Sequence, residues 1–240
     1  MSRRLVLIPA AGLVVLAGFA FALAVADRYY QEGAAILDAW TEVGDEDTDD
    51  EESLETNEAL PDWIAKQAEE LLMNAQRLDP WDPDILNDLG RVHELRVSEE
   101  TAHEPDSIAS LNYALAYYRS SLRKRPAWPY VWSNILVAKF KLEQLDKEFA
   151  LAMERVAILA PWDWDVQLLI ADGGLAYWDK LPANLQAIVT ATIRRGLLTQ
   201  PSEFTALAEQ MGLVEQNEAK PGQKSASPPI GRTPLSILSP

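Results

Sequence analysis

The sequence predicts an all-α protein, a short stack of helical hairpins behind one N-terminal membrane helix. An uncharged apolar run opens the chain, and apolar residues recur at helical spacing from Pro61 to about Leu213. Proline falls where each helix should end, because a residue without an N–H cannot easily continue one. The chain of 240 residues carries a formal net charge of -16. A surface this acidic repels polyanions, which argues against nucleic-acid binding. The absence of cysteine removes disulfides, thiol catalysis, thiolate metal sites and a lipid-modified cysteine anchor.

Residues 1–4 contain Arg3 and Arg4 and read as a cytoplasmic stub. Residues 5–26 are uncharged, and as a helix they extend about 33 Å, enough to cross a bilayer core. Arg28 is the only basic residue between this run and Lys66, so the positive-inside bias places the N-terminus in the cytoplasm and the rest outside, in a bacterial periplasm. A cleaved signal peptide is the competing reading, since Ala24-Val25-Ala26 has the small-x-small form that a signal peptidase accepts. Its apolar core is longer than such peptides usually have, which favours an anchor.

Residues 27–60 read as a helical stalk followed by an acidic, disordered linker. Tyr30, Ala34, Ile36, Leu37 and Trp40 fall largely on one helical face. From Glu42 to Glu58 ten of seventeen residues are acidic and none is basic, so this stretch repels itself and buries little. Asp45, Asp47 and Asp49 alternate as calcium-loop ligands would. Asp50 nevertheless stands where the turn needs glycine, and Thr56 where a bidentate glutamate belongs.

Residues 61–215 carry a recurring phrase. Ala68, Leu72, Ala75 and Pro80 stand at intervals that Ala114, Tyr118, Ser121 and Pro126 repeat. Phe149, Met153, Val156 and Pro161 follow the same spacing, as do Val189, Ile193, Gly196 and Pro201. After Pro80, Asp82 suits an N-cap and Pro83 a first helical position, and Pro129 plays that opening role after Pro126. Trp162-Asp163-Trp164-Asp165 repeats the Trp-Asp phrase after Pro161. Residues 216–240, rich in Pro, Ser, Gly and Gln, read as a disordered tail.

Leu86, Leu89-Gly90, His93 and Ala102, then Trp132 and Ile135, make the domain resemble tetratricopeptide repeats, a helix-turn-helix family. The match departs at Leu136 and Lys139, which stand in place of the family's glycine and tyrosine, and Val97 to Ser107 reads as an insertion. The run Arg125-Pro126-Ala127-Trp128-Pro129-Tyr130-Val131-Trp132 and the stretch Trp178 to Pro182 are similar to small membrane-anchored accessory proteins of Vps-type exopolysaccharide biosynthesis. That resemblance implies protein partners in an envelope polysaccharide-assembly complex, with glycan as the other candidate ligand. The repeat resemblance implies that inner helices line a concave face, where Asp84, Glu94 and Ser133 would be exposed beside the candidate partner-binding residues Asn87, Arg91, Tyr130, Asn134 and Lys141. Arg91 and Lys141 would be its charged contacts, and Asn87 and Asn134 its backbone-binding amides.

No catalytic, cofactor or metal site is expected. His93 falls at a packing position, and His103 in the insertion reads as solvated. Asp163, Asp165 and Asp172 beside Trp162, Trp164 and Trp178 are the carboxylate–indole grouping that a sugar site would use. Helix capping and filling of inter-helix gaps account for most of it more simply.

Overall fold

The structure, a computed structural model, describes residues 3–42, 59–98 and 100–213. Among them are nine α-helices and a single 3-10 turn at Trp178–Lys180. The acidic segment after Glu42, its calcium-like aspartates and the tail 216–240 lie outside the described residues. The helices are α1 (Arg3–Glu42), α2 (Asp62–Leu78), α3 (Pro83–Leu95), α4 (Pro105–Lys124), α5 (Pro129–Lys141), α6 (Lys147–Leu159), α7 (Trp164–Ala176), α8 (Ala183–Thr199) and α9 (Pro201–Gln210).

The repeated phrase falls on α2, α4, α6 and α8, and every residue of it there is buried. Each of these helices ends in the same way. Asp79, Arg125, Ala160 and Gln200 stand just before a proline with φ from -127 to -139° and ψ from 54 to 82°. Steric conflict with the proline ring drives the preceding residue out of the α region. Their N–H groups donate to the carbonyls of Ala75, Ser121, Val156 and Gly196, the last apolar or small residue of each phrase, at 2.8, 3.0, 3.0 and 2.7 Å. Two of the helices that follow start on a side-chain cap: Asp82 accepts from the Asp84 N–H before α3, and Asp163 from that of Val166 before α7.

Each helix packs on its chain neighbours, and the odd-numbered helices also form a continuous row from α1 through α3, α5 and α7 to α9. Side-chain pairings give the direction of that row. Arg91 reaches Asp38, while Asp82 lies within the field of Asp27, so α3 runs the same way as α1. Asn134 with Asn87 and Lys141 with Glu94 share one offset of 47 residues, so α5 is parallel to α3. Tyr130 with Asp163 and Tyr177 with Phe140 extend the same sense to α7.

Close approach comes from glycines. A Cβ on Gly90 would lie 2.4 Å from the Tyr118 ring, and one on Gly174 would lie 2.3 Å from Val189 Cγ2. Tyr118, fully buried over Gly90, donates to Glu94 at 2.6 Å. Gly173-Gly174, solitary in the sequence, is thus a helix-contact pair against Phe140 and Val189.

Three expectations change. The stalk is not separate from the packed unit: Leu37 is completely buried, and a Cβ on Gly33 would meet Leu72 Cγ at 2.9 Å. The unit therefore starts near Ala26 rather than Pro61, because α1 supplies the partner that α2 needs for its apolar face. The acidic segment, read as following a stalk outside the repeat domain, connects two helices that pack on each other. Ala102, one of the repeat-like residues, lies in the α3–α4 connection rather than on a helix.

Candidate functional site

The odd-numbered row encloses a cavity of about 250 Å³. It is lined by Tyr30, Ala34 and Asp38 of α1, by Asp84, Asn87, Asp88 and Arg91 of α3, by Trp128, Tyr130 and Asn134 at the start of α5, and by Asp165 of α7. Parallel packing brings α1 and the N-terminal parts of α3, α5 and α7 together, which is why residues far apart in sequence share one wall.

A polar chain runs across that wall. Asn134 Nδ2 donates to Asn87 Oδ1 at 2.9 Å, and Asn87 Nδ2 donates to Asp88 Oδ1 at 3.1 Å. Arg91 Nη1 donates to Asp38 at 3.0 Å and to Asp88 at 3.4 Å. Burial pushes the Asp88 carboxyl up, with the Arg91 charge opposing it. Burial works against the Arg91 charge, but Asp88 and Asp38 outweigh it and hold the guanidinium protonated. Burial, then the Asp88 charge, raises the Tyr30 phenol, which stays neutral. Tyr130 donates to Asp163 at 3.0 Å, tying the cavity wall to the cap of α7. At the rim Arg125 pairs with Asp84 and lies 4.1 Å from the Trp128 ring centroid.

Arg91 Nη2 is buried without a hydrogen-bond partner. An unsatisfied guanidinium nitrogen in a packed region costs free energy until an acceptor reaches it. Four carboxylates against one lining arginine leave the cavity anionic overall. Its chemistry suits a ligand that carries a positive charge or several donors and offers at least one acceptor.

Asn87, Arg91, Tyr130 and Asn134 meet in this cavity, and Lys141 does not. Lys141 is largely buried, with Nζ 3.4 Å from the Glu94 carbonyl, 3.3 Å from that of Val97 and 3.7 Å from the Glu94 carboxylate. It neutralises the C-terminal end of α3, where unpaired carbonyls gather. Exposure was also expected for Arg91, Glu94, Ser133 and Asn134, and all four are buried, because neighbouring odd helices cover one another's flanks. Tyr30, Asp38, Asp88, Trp128 and Asp165 join the lining without having been singled out for it. The i, i+4, i+8 spacing of Tyr30, Ala34 and Asp38 was the signal available for α1.

The histidines and the tryptophan–aspartate grouping are also placed. His93 stacks on Tyr117 with centroids 5.7 Å apart and lies tilted to Tyr113 at 5.4 Å, while the His103 side chain is 71% exposed. Asp163 caps α7 and Asp165 sits in its first turn. Trp162, expected to fill an inter-helix gap, is instead exposed.

The sequence matches no protein-family model, and no curated protein and no solved structure matches it. The fold and the cavity therefore define only a class, an all-helical protein with an N-terminal helix apolar enough to cross a membrane.

Proposed function

We propose that this protein is a membrane-anchored scaffold of the tetratricopeptide kind that binds a protein segment in the cavity along its odd-numbered helices and catalyses no reaction. Support for the repeat architecture comes from four equivalent helix endings and from odd-numbered helices that run parallel, α3 and α5 pairing twice at one offset. The observation that carries the binding role is the polar wall itself, where amides from two successive inner helices meet beside an incompletely satisfied arginine. An extended peptide supplies what that wall lacks, a backbone carbonyl for Arg91 Nη2, and its basic or donor-rich side chains would answer the net negative charge of the lining. The resemblance to Vps-type accessory proteins makes a bacterial exopolysaccharide-assembly complex the proposed setting. The anchor is proposed to lie in the inner membrane with the domain in the periplasm. Supporting an uncleaved anchor, α1 runs without a break through Ala24-Val25-Ala26.

A carbohydrate-binding module is the second reading, favoured by Trp128 and Tyr130 beside carboxylates in the cavity. Placing a photo-crosslinking phenylalanine at Tyr130 in intact cells would identify the partner. Affinity for it is then measured with Asn87→Ala/Asn134→Ala, which we expect to weaken binding roughly tenfold or more. Unchanged affinity removes the peptide reading. Indole fluorescence that responds to oligosaccharide in the wild type and not in Trp128→Ala would favour the second.

A further inference from the structure

The apolar part of α1 stands clear of the rest of the molecule: Leu13, Val14, Val15, Leu16, Phe19 and Phe21 are 60–72% exposed. Burial begins at Ala26, and from there α1 is packed into the domain with no break in the helix. A helix that crosses a bilayer and then enters a domain without a hinge sets how that domain faces the membrane. Since α3, α5 and α7 run parallel to α1, their N-terminal ends point the way the α1 N-terminus points. Asp82, at the first of these ends, is close enough to feel the Asp27 charge, one residue past the apolar run.

Those ends share one composition. The turn before α3 presents Trp81, 80% exposed, with Lys124 Nζ 4.9 Å from its ring centroid. The turn before α5 presents Trp128, 38% exposed, under Arg125. The turn before α7 presents Trp162, 65% exposed, with the Arg195 guanidinium 5.4 Å from its ring centroid. Exposed indoles cost free energy in water and concentrate where a bilayer meets it, while lysine and arginine reach outward to the headgroups.

We infer that this tryptophan edge, formed by Trp81, Trp128 and Trp162, rests in the headgroup layer of the membrane that α1 enters. Its occupant is the lipid surface, and the inference rests on the reading of α1 as a membrane span. Asp79, Asp82, Asp84 and Asp163 lie at the same helix starts, with Asp27 near Asp82, so the edge is a mixed-charge indole row and not a basic patch. Partitioning of the rings, rather than attraction to anionic lipid, then holds it down, and high salt leaves the contact intact. Trp81, on the turn next to α1, lies nearest the span, and Trp128 and Trp162 follow outward along the row.

The cysteine-free chain makes the test direct. Full-length Trp81→Cys, Ala127→Cys and Trp162→Cys are each spin-labelled in vesicles of phosphatidylcholine with phosphatidylglycerol. Ala127, exposed in the turn before α5, leaves Trp128 in place. Leu16→Cys reports the span, and Glu143→Cys reports the opposite end of the domain. Collision with lipid-soluble oxygen relative to an aqueous nickel chelate should be several-fold higher at the three edge sites than at Glu143→Cys, at low and high salt alike. Edge labels that match Glu143→Cys while Leu16→Cys reports lipid would overturn the edge and leave the anchor standing. An aqueous Leu16→Cys would overturn both.

Discussion

His93 shows how one side chain ties packing to pH. Its ring lies against two tyrosines, and burial lowers its pKa from the ordinary 6.5, with Glu69 opposing and Arg96 assisting. The folded state therefore binds the imidazole proton less readily than the unfolded state does. Stability from this source is complete above pH 6.5 and is lost as pH falls through the lower folded value. Chemical denaturation should show a less stable protein at pH 5.5 than at pH 7.5, against the opposite pull of Asp82, Asp88 and Asp172, whose carboxyls burial raises. In His93→Phe that slope should disappear, and its persistence would assign the effect elsewhere. Gly90 and Tyr118 show the same economy in shape. The missing Cβ admits an aromatic ring to the backbone of α3, and Glu94 then receives the ring's hydroxyl.

At the scale of elements, α1 has two halves of different character, one exposed and apolar and one packed into the domain. About 60 Å of helix is roughly twice what a bilayer core requires. The second half supplies Leu37 and the partly buried Tyr29, Tyr30, Ile36 and Trp40 to the core shared with α2 and α3. Deletion of residues 1–26 should leave a folded, water-soluble domain. Deletion of residues 1–42 should strip the cover from Ala68, Leu72 and Ala75 and make α2 the first site of protease attack. Limited proteolysis and circular dichroism distinguish the two. If both deletions resist protease equally, α1 is not part of the core.

For the whole molecule, charge and orientation act together. The chain is strongly acidic, and the cavity wall shares that sign. A basic partner segment would be steered towards it, and its association rate should fall by roughly tenfold or more between low and high salt. Stopped-flow association with the identified partner measures this, and a salt-independent rate would exclude a cationic ligand. The cavity begins at Tyr30 and reaches Asp38, about 6–18 Å along α1 from Ala26. With α1 in a membrane, as proposed, a partner bound there would be held beside it, where tethering raises its effective concentration.

Periodicity and proline placement were sufficient to read the helices, the four equivalent endings and the capping roles of Asp82 and Asp163, because each is set by residues within a turn or two of one another. The repeat resemblance, rather than any local pattern, brought Asn87, Arg91, Tyr130, Asn134 and Lys141 forward as a group, and the first four share the cavity. Tertiary structure alone decided which faces were covered: it buried Lys141 at the end of α3, drew the second half of α1 into the core and exposed Trp162. Those outcomes depend on the rotation of one helix against another across tens of residues, and no short-range pattern encodes that angle.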